Sequence, residues 1–233
     1  YITFRTAYAS LTALMISLLL GPWVIAKLRQ FQIGQYIQEE APKNHHGKVG
    51  TPTMGGVLIV ISIIIPTLLW ADLTNLYVWV ALVSMLLFAL VGFMDDYLKV
   101  VNQRSLGLRV VQKLVLQGLI GLGIALTLIA LKGANLYSGS LSVPFFKRFT
   151  PDMDLMILGA STFIPLILFT LLVIIGSSNA VNLTDGLDGL ASGLVIIAAS
   201  ALTVLTYVTG HADFATYLDL IKNTYASELT IFC

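Results

Sequence analysis

Long stretches without a charged residue alternate along this chain with short polar segments. An α-helix needs about 20 apolar residues to cross the hydrocarbon layer of a bilayer, whereas soluble helices keep a polar face. The continuous apolar character therefore predicts helices that span a membrane. The uncharged stretches are residues 6–26, 49–71, 73–94, 114–131, 155–184 and 189–210.

The predicted fold class is all-α: a polytopic helical membrane protein with six complete spans and the start of a seventh at residues 229–233. A transmembrane β-barrel is excluded, because its strands would alternate in segments of about ten residues. The chain opens on Tyr1 rather than Met and ends within an apolar run, so we expect a C-terminally truncated fragment of one transmembrane domain, 1–233. The predicted spans are about 6–26, 53–71, 75–95, 112–132, 156–176 and 188–209.

Composition supports the membrane class. Hydrophobic residues make up 57% of the 233 positions and charged residues 11%, whereas about 25% of the residues of a soluble domain are charged. A disordered chain, a disulfide scaffold and an ordinary cytosolic enzyme are excluded. The net charge of +1 offers no basic face for a nucleic acid. The single cysteine, Cys233, cannot form an internal disulfide.

The lysines and arginines between the predicted spans indicate the orientation, because cytoplasmic loops carry more of them. One side holds eight, and we expect it to be cytoplasmic: Lys27, Arg29, Lys43, Lys48, Lys99, Arg104, Arg109 and Lys113. The other side holds five: Arg5, Lys132, Lys147, Arg148 and Lys222. The N-terminus is therefore expected outside. In the external segment 133–150, the polar texture predicts a short surface hairpin.

Three polar segments fall on the side expected to be cytoplasmic. They are KNHHGKVGTPTMGG at residues 43–56, GFMDDYLK at 92–99 and NAVNLTDGLDGL at 179–190. Their convergence at one membrane face is a stronger indication of a functional site than any one segment alone.

Asp95 and Asp96 lie where the third predicted span leaves the membrane. Carboxylates near hydrocarbon are costly unless they are paired or solvated, and adjacent carboxylates repel each other. A hard divalent cation such as Mg²⁺ would relieve both problems. The alternative is a solvated helix end, at which both aspartates pair with Lys99 at i+4 and i+3.

The third segment carries Asn182, Asp185 and Asp188 at intervals of three residues, with Gly186 and Gly189 between and beside them. On a helix this interval places the three polar side chains on one side. We expect the segment to open the sixth span, with Asn182, Thr184 and Asp185 as candidate caps and free N–H groups that can hold phosphate. A carboxylate can also accept the imide N–H of uracil. The alternative is an ordinary cap followed by a glycine turn.

Lysines near these segments have two interpretations each. Lys48 can contact a phosphate or serve only as a cytoplasmic positive charge. Lys113 opens the fourth span and can face the same site or extend to the membrane surface. The adjacent His45 and His46 are a weak metal signal, because no third ligand accompanies them.

The segments GTPTMGG, GFMDDYLK and NAVNLTDGLDGLA, in this order, resemble those of phospho-N-acetylmuramoyl-pentapeptide-transferases of the MraY type. The wider superfamily transfers sugar phosphates to polyprenyl phosphates. The resemblance implies a ten-helix fold in the bacterial inner membrane, a homodimer and an active site in a cytoplasmic cleft. It also implies transfer of phospho-N-acetylmuramoyl-pentapeptide from UDP to undecaprenyl phosphate with Mg²⁺. The products, lipid I and UMP, place the reaction in peptidoglycan synthesis and cell wall biogenesis.

The resemblance assigns roles residue by residue, and leaves open whether an aspartate acts as base, nucleophile or electrostatic guide. The expected catalytic residues are Asp95, Asp96, Lys99 and Lys113. The expected substrate-binding residues are Lys48, Thr53, Asn182, Asp185, Gly186, Leu187 and Asp188. The expected metal ligands are Asp95, Asp96 and Asp185. The family's third essential aspartate, its principal ligand, and a histidine-rich loop would lie beyond residue 233, so we expect this chain to be inactive alone.

Two other functions compete with this one. A sister transferase would use UDP-N-acetylglucosamine, although TPTMGG is associated with the muramoyl enzymes. An ion-coupled transporter would also carry intramembrane acids, but it would bind its cargo near the midplane. The acids here cluster at one face instead.

Overall fold

The computed structural model describes residues 1–30, 55–102, 107–141, 149–157, 160–185 and 189–233. Within these ranges the regular elements are helices apart from one short hairpin, which confirms the predicted fold class. The long helices are α1 (Ile2–Gln30), α2 (Gly56–Trp70), α3 (Leu76–Asn102), α4 (Val110–Gly133), α5 (Ile164–Thr184) and α6 (Leu190–Gly210). The short elements are β1 (Leu155–Ile157), β2 (Ala160–Thr162), α7 (Ala212–Tyr217), a 3₁₀ helix (Thr224–Glu228) and α8 (Leu229–Phe232).

In the described part of the chain, five helices are long and apolar enough to cross a membrane: α1, α3, α4, α5 and α6. At most 22% of the residues in the apolar stretch of any of them are buried. Large apolar faces that are not covered by protein require lipid around them, so the chain is a multi-pass membrane protein. α2, within the predicted span 53–71, has 15 described helical residues.

The start of the fifth predicted span, at residue 156, is wrong. Residues of β1 and β2 form an antiparallel hairpin there, with Met156 opposite Ser161. α5 begins only at Ile164, with Pro165 in its first turn. Proline has no N–H to donate and favours the first helical positions, so it marks this start. Ahead of the hairpin, Ser140 bridges Asp152 in antiparallel fashion, and residues 142–148 of the predicted external hairpin lie outside the described residues.

Contacts divide the chain into two compact units, and a single transmembrane domain over residues 1–233 stays a prediction. The first unit comprises Tyr1–Ile2, Asp72–Ala81 and Gln117–Cys233, and the second comprises Thr3–Ala71 and Leu82–Leu116.

In the second unit, α1 contacts α2 through Trp70. Its ring stacks on Tyr8 with 5.1 Å between centroids, and its Nε1 donates a 3.1 Å hydrogen bond to Oγ1 of Thr12. Tryptophan thus contributes both apolar area and a satisfied donor. Toward the other end of α2, Gly21 of α1 lies against Leu58.

In the first unit, Asn223 organises the residues that precede α8. Its side chain accepts hydrogen bonds from the backbone of Tyr225 and Ala226, which caps the 3₁₀ helix. Its Nδ2 also donates to the hydroxyl of Tyr77 at 3.0 Å. That hydroxyl donates in turn to the carbonyl of Leu136 at 2.8 Å. Side-chain hydrogen bonds thereby connect the first turn of α3, the end of α4 and the segment that leads into α8.

Candidate active site

One lysine bridges the two adjacent aspartates near the C-terminal end of α3. The helix continues through both carboxylates to Asn102. Nζ of Lys99 lies 2.6 Å from Oδ2 of Asp95 and 3.0 Å from Oδ1 of Asp96. Helical residues at i+3 and i+4 share a face, so one ammonium group reaches both. The lysine pairing that the sequence offered as an alternative is therefore present.

The environments of the two carboxylates differ. The side chain of Asp95 is 14% exposed and that of Asp96 is 36% exposed. Oδ1 of Asp95 accepts a 2.8 Å hydrogen bond from the backbone N–H of Leu108, ahead of α4. Asp95 is thus held by a lysine and by the backbone of the next segment, whereas Asp96 faces more open space.

The approach of the α3–α4 connection to Asp95 depends on Gly107. A Cβ at this position would lie 2.5 Å from both the main-chain oxygen and Oδ1 of Asp95. Real Cβ atoms do not approach oxygen so closely, and a main-chain oxygen within a helix cannot move aside cheaply. Only glycine fits, and its absent side chain lets Leu108 reach the carboxylate.

Lys113 lies in the first turn of α4, where its N–H donates to the carbonyl of Arg109 at 3.0 Å. Its positive charge attracts the carboxylate of Asp95. At the same helix start, Oε1 of Gln112 accepts the N–H of Arg109 at 3.1 Å, as the third helical residue of a capping box does. The structure thus brings together three of the predicted residues, Asp95, Asp96 and Lys99, and places Lys113 within electrostatic range of Asp95.

The expectation that Asn182 and Asp185 cap the start of the sixth span is wrong. Asn182 lies in the last turn of α5, and Asp185 is the residue at its C-terminal cap. α6 begins at Leu190, after Gly189 with a left-handed φ of +79°. Asparagine, threonine and aspartate suit both helix ends, and here α5 extends through Thr184. Within its last turn, Oγ1 of Thr184 donates to the carbonyl of Val181 at 2.8 Å.

This placement changes the electrostatic setting of Asp185. The C-terminal end of a helix carries a partial negative charge. A carboxylate there adds to that charge, so the end of α5 favours a cation, not a bare phosphate. Both Asn182 and Asp185 are exposed.

Several predicted substrate residues lie outside the described residues: Lys48, Thr53, Gly186, Leu187 and Asp188. Among the described residues, no group of three His, Cys, Asp or Glu side chains could hold a metal ion. The carboxylates of Asp95 and Asp96 nevertheless suit Mg²⁺, which is commonly held by one or two carboxylates together with substrate phosphates.

Within the second unit, an apolar groove of 340 Å³ lies between α2 and α3 and ends at Asp96. No Cβ contact within 4 Å would block a side chain at Gly56 or Gly92, so the groove is open at both glycines. It suits an apolar chain whose polar end lies at the carboxylate. The remaining lining residues are Val57, Val60, Ile61, Leu86, Ala89, Leu90 and Phe93.

Two features of the site were not predicted from the sequence. One is the contact of Gly107 and Leu108 with Asp95, for which a lone glycine just before an apolar run was the only signal. The other is a buried hydrogen-bond cluster at Gln117, Ser178 and Asn179. A single amide within the uncharged run 114–131 could have indicated it, because polar side chains in membrane helices face other helices.

Comparison with known proteins yields one family. A model described as glycosyl transferase family 4 matches residues 78–226. Phospho-N-acetylmuramoyl-pentapeptide-transferase signature 1 matches residues 48–60.

Curated relatives named phospho-N-acetylmuramoyl-pentapeptide-transferase align with the whole chain. Those from Koribacter versatilis and Solibacter usitatus are 55% and 56% identical over 239 residues. The chain spans 63% of the length of each. A relative of the same name from Desulfatibacillum aliphaticivorans is 51% identical over 233 residues. These matches confirm the resemblance carried by the three motifs, and the chain belongs to glycosyl transferase family 4.

Proposed function

We propose that the protein containing this chain transfers phospho-N-acetylmuramoyl-pentapeptide from UDP to undecaprenyl phosphate, giving lipid I and UMP. The observation that carries the proposal is the cluster of Asp95, Asp96 and Lys99 at the end of an apolar groove. Identity of 45% to 56% with relatives bearing the transferase's name supports the choice of substrates.

The reaction joins two phosphates and therefore concentrates negative charge. Catalysis of such a step consists mainly of positioning and of charge neutralisation. The acceptor phosphate is largely ionised near neutral pH, since its second pKa is about 6. Lys99 and Lys113 supply positive charge beside the acidic pair, and a strong general base is not required.

Magnesium fits the proposed site as a bound cofactor. Asp96, the more exposed carboxylate, and Asp95 would hold it, with Asp185 as a further candidate at the negative end of α5. When bound, Mg²⁺ would neutralise charge on phosphate oxygens. Lys99 provides a further cation close to the transferred group.

The groove between α2 and α3 gives the lipid substrate an apolar path to the acidic pair. Its lining is apolar except near Asp96, as an isoprenoid chain with a phosphate end requires. An apolar chain in such a groove is stabilised by about 25 cal/mol per Å² of buried surface. The phosphate end would then lie within reach of Lys99.

The nucleotide half of the proposed site rests on the polar segment at the end of α5. We assign Asn182 and Asp185 to it, together with Lys48, Thr53 and the segment 186–188, which lie outside the described residues. We further propose that the site lies on the cytoplasmic face with the N-terminus outside, because that side carries more lysines and arginines. A homodimer is proposed as the assembly, as the resemblance to the MraY type implies.

The test is UMP release by the complete open reading frame that contains this chain, purified in detergent. The assay contains undecaprenyl phosphate, Mg²⁺ and UDP-N-acetylmuramoyl-pentapeptide, with UDP-N-acetylglucosamine in a parallel reaction. Release with the muramoyl substrate alone is expected. Release with the other sugar alone would assign the protein to the sister transferases, and chelation of Mg²⁺ should stop the reaction. The 233-residue chain, assayed separately, should release no UMP.

A further inference from the structure

Gln117 is a fully buried amide within an otherwise apolar membrane helix. It lies on α4 and is 1% exposed. Its Nε2 donates a 2.9 Å hydrogen bond to Oγ of Ser178, and its Oε1 accepts one of 2.9 Å from Nδ2 of Asn179. Both partners are on α5. Hydrocarbon offers no water to replace such partners, so the position of the amide depends on α5.

The helices approach each other closely just beyond this amide. Gln117, Gly121 and Ala125 recur every four residues, form one face of α4 and are all buried. A Cβ at Gly121 would lie 2.9 Å from Cδ2 of Leu171 on α5. Small residues permit such close backbone packing between membrane helices. Close packing at Gly121 already brings α4 against α5. The buried amide adds directional hydrogen bonds, which select one register, as buried polar residues do in helix pairs.

The α5 partners of Gln117 lie on the same face as two residues of the proposed substrate site. Asn182 follows Ser178 by four residues and Asp185 follows it by seven, which is one and two turns of a helix. A rotation of α5 by one residue, or a shift by one turn, would therefore move Asn182 and Asp185 together with Ser178.

We propose that Gln117 is a positioning residue, which fixes the rotation and height of the last two turns of α5 and so the location of Asn182 and Asp185. The assignment of these two residues to the substrate site rests on the proposed function. The hydrogen bonds and burial that define the α4–α5 register do not.

The test replaces Gln117 with Leu in the complete protein, which keeps a similar volume and removes both hydrogen bonds. Hydrogen–deuterium exchange in residues 176–185 should increase. The KM for UDP-N-acetylmuramoyl-pentapeptide should rise by on the order of tenfold, because small displacements of binding groups are costly. The KM for undecaprenyl phosphate should stay within about twofold of its original value, because the described residues that line the groove at Asp96 belong to α2 and α3.

Two further variants separate positioning from stability. Thr127→Val removes a hydroxyl that bonds to Gly123 on the exposed face of the same helix and should change neither exchange nor KM. Gln117→Glu keeps the shape, and a buried carboxylic acid stays protonated. It can therefore donate to Ser178 and accept from Asn179. The KM of this variant for UDP-N-acetylmuramoyl-pentapeptide should be close to that of the unmodified protein.

The results distinguish a role of Gln117 in positioning Asn182 and Asp185 from a merely structural role. A lower unfolding temperature with an unchanged KM would show a merely structural role and overturn the inference, as would unchanged exchange in residues 176–185. If Gln117→Leu does not fold, Ser178→Ala removes one hydrogen bond and should raise the same KM less. If the unmodified protein releases no UMP while Gln117→Leu still raises exchange, the proposed function fails and the fixed register of α5 stands.

Discussion

The backbone N–H of Leu108 donates a 2.8 Å hydrogen bond to Oδ1 of Asp95, thirteen residues earlier in the chain. The same carboxylate contacts Lys99 through its other oxygen. Both oxygens of Asp95 are therefore engaged by protein groups, while Asp96 is paired through Oδ1 and is more exposed. Adjacent residues of one helix point in different directions, and this geometry gives the two aspartates distinct roles.

The first prediction separates these roles. Asp96→Asn should lower UMP release by at least about a thousandfold, as removal of a transition-state charge contact does, with little change in thermal stability. Asp95→Asn should reduce both UMP release and stability. We expect a loss of about 1 kcal/mol in the free energy of unfolding, because the charged acceptor of the Leu108 N–H becomes neutral. Turnover and unfolding in detergent measure the two effects. Equal stability losses in both variants would contradict the assignment.

The second prediction concerns Gly107. Gly107→Ala should displace the segment before α4 from Asp95, since the new Cβ would lie 2.5 Å from two of its oxygens. We expect a loss of about 1–3 kcal/mol in stability, typical of an overpacked site, and a larger relative loss of turnover. Gly118→Ala is the matched control, because its Cβ would meet no atom within 4 Å and alanine favours a helix interior. Wild-type turnover in Gly107→Ala would show that the contact with Asp95 is dispensable.

The third prediction concerns competition between Lys99 and the proposed metal. Lys99→Met removes the ammonium group that bridges Asp95 and Asp96. Divalent cations should then bind the carboxylate pair more tightly, by about fivefold, since exposed charge pairs contribute up to ~1 kcal/mol. Mn²⁺ titration followed by electron paramagnetic resonance measures the affinity. UMP release by the same variant should fall. Weaker Mn²⁺ binding would show that Lys99 positions the ligands instead of competing with the ion.

Local pattern predicted the helices and the acidic pair because both depend on residues close in sequence. Uncharged runs near 20 residues predict spans, and the interval from Asp95 and Asp96 to Lys99 predicts their contact. The roles of Gly107 and Gln117 depend on neighbours that are 12 and about 60 residues away. The segment 179–189 was assigned to the start of the sixth span, whereas its first residues form the end of α5. Asparagine and aspartate suit both ends of a helix, so their presence alone does not distinguish the two.

The fourth prediction concerns the groove between α2 and α3. Gly92 lines it, and a Cβ at this position would meet no atom within 4 Å, so Gly92→Phe should start into open space and fill the groove without disturbing α3. The KM for undecaprenyl phosphate should rise by about tenfold, equivalent to ~1.4 kcal/mol, and the KM for the UDP substrate should change little. A short-chain polyprenyl phosphate should be affected less, because fewer isoprene units lie in the groove.

The matched control is Leu87→Phe. It adds bulk to the same helix at a position that is 41% exposed and does not line the groove, and it should leave both KM values unchanged. Equal effects of Gly92→Phe and Leu87→Phe would remove the groove from the path of the lipid.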